Sequence, residues 1–599
     1  MHFRTSRRAR LRALTAVAGL AAAVTATITA PPAQSAPPSE PVACPDAVPD
    51  ADLTGLIGQD VTGFTVSSGN TPEEITGKVD GVLANGIAPG IPLIIIDFSG
   101  SPAIDKAGIW AGMSGSPVYA DDGRLIGAVS YSLTWATSPV AGVTPAADMQ
   151  ALLGGGAAAA AKSPARQVTL PQRMQQRLVS DGLATQTEAT TMSQLPLPLA
   201  VSGSRSISRM SAAEKNRMRG PRLLNRPDVL LYKSGSAPAV SPGSDEISAG
   251  SNLTASVSYG DITFAGIGTT TMVCDGQAVG FGHPMLWTGD STMTMNGADA
   301  ITVLKDDIGG SYKLANVTGP VGAITGDHLV GISGPVGADD IPASTLVESN
   351  VTDVSTLKQR TGDTYVSVPD YLAEVALFAE VDNQDVVFDR IGKGSALVHF
   401  TVEGTADGEP FTLVRTNRFA SSYDISFDTI WEMYEDIYRL LHNRFADVTI
   451  GAVHITTQID PTYRAYKVGK VERKVGTGYV TLSRRSIVHA RPGSTLTLRV
   501  TLNSDALGTK VETVKVKVPY APIGAFGELS VGRLRLSGSS ANSFDDLVSN
   551  LSNAPRNDEL SAALRLFIKK RSTGLTSSAS TPAGDVISGG HSFYVRISR

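Results

Sequence analysis

Between residues 51 and 150 the hydrophobic positions come in short runs punctuated by Gly and Pro. Gly63-Phe64-Thr65-Val66, Gly77 to Leu83, Leu93 to Phe98, Val118-Tyr119 and Leu125 to Tyr131 read as closely spaced strands, the last two hinged on Asp121-Asp122-Gly123. Such spacing predicts an antiparallel barrel or sandwich. Gly154-Gly155-Gly156 with Ala157 to Ala161 marks a break. From Arg166 to Arg226 Lys and Arg outnumber the acids and aromatics are few. We read a partly helical, solvated excursion there, an exposed basic docking face being the other reading. Alternation returns in Leu253 to Tyr259, Thr269 to Cys274 and Gln277 to Phe281, which predicts a second β unit ending near Pro342. Beyond Ser355, Tyr371 to Val381, Ala396 to Glu403 and Thr495 to Leu502 read as strands. Ile430, Met433, Ile437, Leu440 and Leu441 recur at helical steps and predict one amphipathic helix over 427–445. Phe544 to Leu551 and Glu559 to Lys569 predict two short helices ahead of a polar tail.

A chain of 599 residues with 42% apolar and 18% charged residues buries large cores and needs no disulfide framework to fold. Its formal charge of −5 argues against nucleic acid as a partner. Arg4, Arg7, Arg8, Arg10 and Arg12 form a basic head before the apolar stretch Ala13 to Ala26, which is shorter than the ~20 residues that span a bilayer. This predicts a cleaved export signal over 1–36 and a secreted or cell-envelope protein with no stable membrane span. Ser6-Arg7-Arg8 also fits twin-arginine export. In an oxidising compartment the two cysteines, Cys44 and Cys274, are expected to be bridged, with two buried thiols as the alternative. Two cysteines are too few for a structural zinc site.

The stretch most suggestive of chemistry is Gly112-Met113-Ser114-Gly115-Ser116-Pro117. A Ser between glycines can hold a tight turn whose N–H groups converge, so Ser114 is a candidate nucleophile, with the N–H groups of Gly112 and Ser114 as its oxyanion donors. The sequence continues into Pro and a hairpin rather than a helix, which excludes an α/β-hydrolase elbow and leaves a barrel-type serine protease layout. A nucleophilic Ser needs a base. The only His ahead of it is His2, inside the predicted signal, so the base comes from downstream. His283 alone sits in a Gly-framed turn after a strand, in Gly280-Phe281-Gly282-His283-Pro284, while His399, His454, His489 and His591 fall in strand-like stretches and His442 on the helix. No two His or carboxylates stand at metal-ligand spacing around His283.

Gly112 to Pro117, followed by Leu125-Ile126-Gly127-Ala128-Val129, resembles the nucleophile segment of the SpoIVB-type serine peptidases. Gly282-His283 resembles the family's histidine segment, and Pro139 to Pro145 looks like the segment that closes the serine unit. The resemblance covers roughly 45–345, says nothing of 355–599, and departs in order: here the Ser segment precedes the His segment, and no PDZ-like stretch precedes both. It implies a mainly β chain whose bipartite, trypsin-like double β-barrel carries Ser114 in 45–150 and His283 in 227–345, joined by a linker over 151–226. A β-sandwich-like domain with the inserted helix is expected over 355–525, then helices and tail over 526–599. The family's acid precedes the nucleophile, where Asp97 is the nearest match and Asp105 the second. By the layout of two-barrel proteases, in which the acid follows the His in its own half, Asp327 competes. The activity implied is limited proteolysis of envelope or secreted proteins without a cofactor. An inactive peptidase scaffold that binds partners, and a secreted esterase, are the rival readings.

Overall fold

The computed structural model describes residues 44–133, 137–154, 167–202, 207, 209–219, 229–306, 310–483, 485–534, 541–567 and 575–599. The expected export signal over 1–36 and the run Ala157 to Ala161 lie outside them. The protein is mainly β, with a closed six-strand barrel and several further sheets. Among the described residues no helix is long and apolar enough to cross a membrane.

Strands β1 (Asp60–Thr65), β2 (Glu73–Ala88), β3 (Ile91–Ser99), β4 (Pro117–Ala120), β5 (Leu125–Leu133) and β6 (Val140–Pro145) pair antiparallel in the order β4-β1-β2-β3-β6-β5. Pairing of β4 with β5 closes the barrel and leaves no free edge. The unbroken apolar run of β3 has a simple cause. Ile94 and Ile96 pack inside with Val61, Ile75 and Val143, while Leu93 and Ile95 pack outside against Met272 and Val279 from later in the chain. A strand buried on both faces shows no alternation.

The chain then adds β7 (Gln167–Thr169) and β8 (Thr191–Gln194) beside β5, and crosses through Leu195-Pro196 into β9 (Leu197–Val201), part of a second sheet that also holds β10 (Val229–Lys233). This corrects the reading of 166–226 as a solvated excursion: Leu197 to Val201 are all buried, and Arg209 pairs with Asp385 and Asp424. Two further arginines of the interval have carboxylate partners, Arg177 with Asp80 and Arg217 with Glu435.

The second sheet is thirteen-stranded. It contains β11 (Asn252–Gly260), β12 (Phe264–Cys274), β13 (Gln277–Gly280), β14 (Gly289–Leu304), β15 (Tyr312–His328) and β16 (Gly331–Pro335). Pairing runs β12-β13-β16-β15-β14-β11 and returns on itself, because β11 also pairs with β12. Numbered within each set, both rings follow the order 1-2-3-6-5-4. The sets are stitched by the disulfide Cys44–Cys274, whose Cα atoms lie 4.8 Å apart, and by the bridges Gly69↔Ala300 and Ala111↔Tyr312.

From β11 the sheet continues through β18 (Gln359–Val366) and β17 (Thr345–Asp353) to β21 (Val448–Asp460), β19 (Gly394–Ala406) and β20 (Glu409–Ser421). The boundary expected between 345 and 355 therefore falls inside a strand. Two further departures concern helices. Residues Leu372–Phe388 form a helix where Tyr371 to Val381 was expected as a strand; nearly every side chain is buried, Glu380 and Asn383 included, so no polar face reveals a helical period. The expected amphipathic helix is present as Ile425–Thr429 and Trp431–Leu441. Residues 465–597 build two five-stranded sheets around one core with Leu498, Val500, Leu529, Leu564 and Phe593, so the sandwich starts inside the 355–525 interval expected for it and runs on to 597. Phe544–Ser552 is helical as expected, but Glu559–Phe567 is a strand that alternates Leu560, Ala562, Leu564 and Leu566 into that core.

Candidate active site

Ser114 lies in the turn between β3 and β4 of the first ring, and His283 in the corresponding turn between β13 and β14 of the second. Their side chains meet: Ser114 Oγ and His283 Nε2 are 2.8 Å apart, and each residue is only 2% exposed. Two residues distant in the sequence, from different sheets, thus share a hydrogen bond in a dry environment, where polar contacts are strong.

Backbone geometry and two threonines fix the serine turn, Thr269 Oγ1 donating to Gly112 O at 3.0 Å and Thr271 Oγ1 to Gly115 O at 2.8 Å. Gly112 and Gly115 take φ of +101° and +99°, which side-chain-bearing residues avoid. Met113 N donates to Trp110 O at 3.1 Å, Gly115 N to Val129 O at 2.8 Å and Ser116 N to Met113 O at 2.8 Å. Thr269 N of β12 donates to Ser114 O at 2.7 Å, binding the turn to the second ring. Among the described residues the N–H groups of Gly112 and Ser114 meet no acceptor, and these are the two that the sequence marks as oxyanion donors.

The histidine turn has main-chain bonds from Phe281 N to Thr269 O and from Gly282 N to Gly280 O, and several side chains support it. Phe281 and Gly282, both at φ +68°, reverse the chain, and Thr144 Oγ1 of β6 donates to Gly282 O at 2.7 Å. Thr144 belongs to the Pro139 to Pro145 segment. Asp327, fully buried at the end of β15, accepts from Met285 N at 2.8 Å and from Leu286 N and Trp287 N at 2.7 Å each. Burial pushes its carboxyl up, and these backbone donors pull it back. Asp327 therefore acts on the loop after His283 and not on the ring.

At the ring, His283 Nδ1 lies 2.9 Å from Pro284 O and 3.1 Å from Gln194 Nε2. A carbonyl oxygen only accepts, so the proton belongs on Nδ1 and Nε2 faces Ser114 as the free base. Facing an N–H, the Gln194 amide serves as its acceptor once a half-turn about the Cγ–Cδ bond brings Oε1 to that position. Gln194 closes β8, at the crossover between the sheets. Sequence reading passed over it because nothing around Thr191 to Pro196 resembles a motif; the only signal was a short polar-apolar strand in the basic interval.

Asp97 sits on β3 opposite Lys78 and Val140, half-buried, its carboxyl pushed up by burial and by Asp80; it bonds neither Ser114 nor His283. Asp105 is exposed on the helix Pro102–Ala107. Beneath the serine turn Lys313 is fully buried, its Nζ donating to Asn252 Oδ1 at 2.7 Å. A Cβ at Gly112 would lie 2.9 Å from Lys313 Cβ, so the two are in close contact. Burial pulls the Lys313 amine down to about 7, with Glu73 opposing. Among the described residues no cluster of three or more His, Cys, Asp or Glu could hold a metal ion. No family model, curated protein or solved structure matches the chain.

Proposed function

We propose that the protein is an exported serine peptidase of the SpoIVB type, acting by limited proteolysis on envelope or secreted proteins. The observation that carries this reading is the 2.8 Å contact between Ser114 Oγ and His283 Nε2, each delivered by the equivalent turn of one ring. The shared 1-2-3-6-5-4 order supports reading the second ring as the partner barrel of a trypsin-like pair. Ser114 Oγ attacks the peptide carbonyl carbon as its proton passes to His283 Nε2. The N–H groups of Gly112 and Ser114 bind the oxyanion, the C–N bond breaks, and Nε2 returns the proton to the leaving amine. Water then releases the acyl group by the same proton route in reverse. Gln194 and Pro284 O orient the ring, and Asp327 holds the loop behind it.

A fluorophosphonate probe tests this. It is expected to label wild type and to fail with Ser114→Ala or His283→Ala, and the double variant is expected to lose little more, because groups acting as one unit are not additive. The near-complete burial of the pair and an amide in place of a carboxylate at Nδ1 favour a second reading, an inactive scaffold that binds partners. Equal labelling of wild type and Ser114→Ala would decide for it.

A further inference from the structure

Away from the Ser114 site, a cavity of about 1030 Å³ opens between the helix Trp431–Leu441, strand β20 and the C-terminal segments around Phe544–Ser552. Its volume is that of a site for a sizeable ligand. Phe419, Trp431, Leu547, Leu551 and Val586 supply an apolar wall.

Charges on the opposite wall are mostly matched. Glu432 accepts from Arg415 at 2.6 and 2.8 Å and from Asn417 at 2.6 Å. Glu435 holds Arg217 at 2.6 Å and Arg439 at 3.7 Å, and the Arg217 guanidinium also stacks on Trp431. Arg556 is engaged by Asp558 at 2.8 Å. Asp428 and Arg533 are exposed at the rim. Asp436 is the exception: it lines the cavity, is only 6% exposed, and among the described residues makes no hydrogen bond or ion pair. A buried carboxyl without a partner is costly, and the guanidiniums of Arg217, Arg415, Arg439 and Arg556 are each paired with another carboxylate.

We propose that this cavity binds a ligand bearing a primary amine or guanidinium on an apolar stem, with the cationic head on Asp436 and the stem against Trp431, Leu547 and Leu551. A cation gives the ionised Asp436 the counter-charge that the wall lacks, and a stem is what the apolar side accommodates. The inference is independent of the peptidase reading. Burial, reinforced by Glu432 and Glu435 and opposed by Arg439 and Arg415, pushes the Asp436 carboxyl up to about 8. The empty site is therefore protonated near neutrality, and binding a cation expels that proton.

Calorimetric titration of the full chain with n-pentylamine, n-pentanol and an acetylated, amidated Gly-Lys-Gly peptide tests this in two buffers of different ionisation enthalpy. Both amines are expected to bind with release of about one proton near neutral pH, tightening about tenfold per pH unit toward pH 8, while pentanol does not bind. The tighter of the two amines tells a free small molecule from a polypeptide side chain. Asp436→Asn, nearly isosteric, is expected to weaken binding at least about tenfold. No heat from either amine, binding without proton release, or equal binding of pentanol would overturn the proposal, and the proton count needs only the wild type.

Discussion

The turn carrying Ser114 is held by four hydrogen bonds among backbone groups and by two glycines at positive φ, with Thr269 and Thr271 of β12 adding side-chain bonds to Gly112 O and Gly115 O. The turn carrying His283 has two such main-chain bonds, from Phe281 N to Thr269 O and from Gly282 N to Gly280 O, and leans more on side chains that arrive from elsewhere: Asp327 from β15, Thr144 from β6 and Gln194 from the crossover. The main-chain part of the serine turn is written locally, as a Gly-x-Ser-Gly pattern whose glycines tolerate no Cβ. A turn held by side chains is written at distant positions and tolerates change within itself better than change in its supports.

Alanine at the two glycines gives the largest contrast. A Cβ at Gly115 would stand 1.8 Å from Thr269 O, with φ at +99°, so backbone of both rings has to move. At Gly282 the nearest atom is Ser130 Cβ at 3.0 Å, with φ at +68°. Gly115→Ala is expected to cost about 4 kcal/mol or to prevent folding, and Gly282→Ala about 1–2 kcal/mol. Chemical denaturation of the two variants measures this, and similar losses would erase the distinction.

Lys313 extends the contrast to pH. Its amine titrates near 7 when folded, against 10.5 as the ordinary value, because burial disfavours the charge. Between those values the unfolded chain carries a proton that the folded chain lacks, so this group makes stability rise with pH, by up to about 1.4 kcal/mol per unit, and its influence levels off below about 7. Lys313→Met is expected to flatten that rise in denaturation curves from neutral to alkaline pH. An unchanged slope would mean that the amine is solvated.

What was legible in the sequence follows the same division. Gly112 to Pro117 and Gly280 to Pro284 could be read because glycine and proline encode backbone geometry at their own positions. Five of the six strands of the first ring could be read from apolar runs and Gly turns, β6 being noticed only through the resemblance of Pro139 to Pro145, and the Cys44–Cys274 bridge from the export context. Gln194 could not, since its role exists only once β8 pairs with β5. Helix Leu372–Phe388 was hidden because burial on all sides removes the polar face that would reveal its period. The strand Glu559–Phe567 was hidden because its leucines and alanines fit either period over so short a run.

The carboxylates come next in size. Asp327→Asn keeps the shape but removes the charge that three backbone N–H groups share, and is expected to cost about 2 kcal/mol in stability and to lower labelling of Ser114. Asp97→Asn is expected to change labelling little. A larger loss of labelling from Asp97→Asn would move the acid to the first ring.

Gln194 carries the smallest expected effect and separates orientation from chemistry. If its amide oxygen takes the Nδ1 proton, the ring stays in the tautomer that presents a bare Nε2 to Ser114; Pro284 O, at 2.9 Å, offers a second acceptor for the same proton. Removing one of two acceptors should loosen the ring without removing the base. Gln194→Ala is therefore expected to slow labelling about tenfold, equivalent to about 1.4 kcal/mol, with thermal unfolding almost unchanged. Gln194→Asn, a methylene shorter, should recover little, because a ring is oriented only within hydrogen-bond reach. Gln194→Glu should recover most of the rate, since a carboxylate accepts the same proton. Full activity in Gln194→Ala would assign ring orientation to Pro284 O alone, and leave the crossover a purely structural link between the rings.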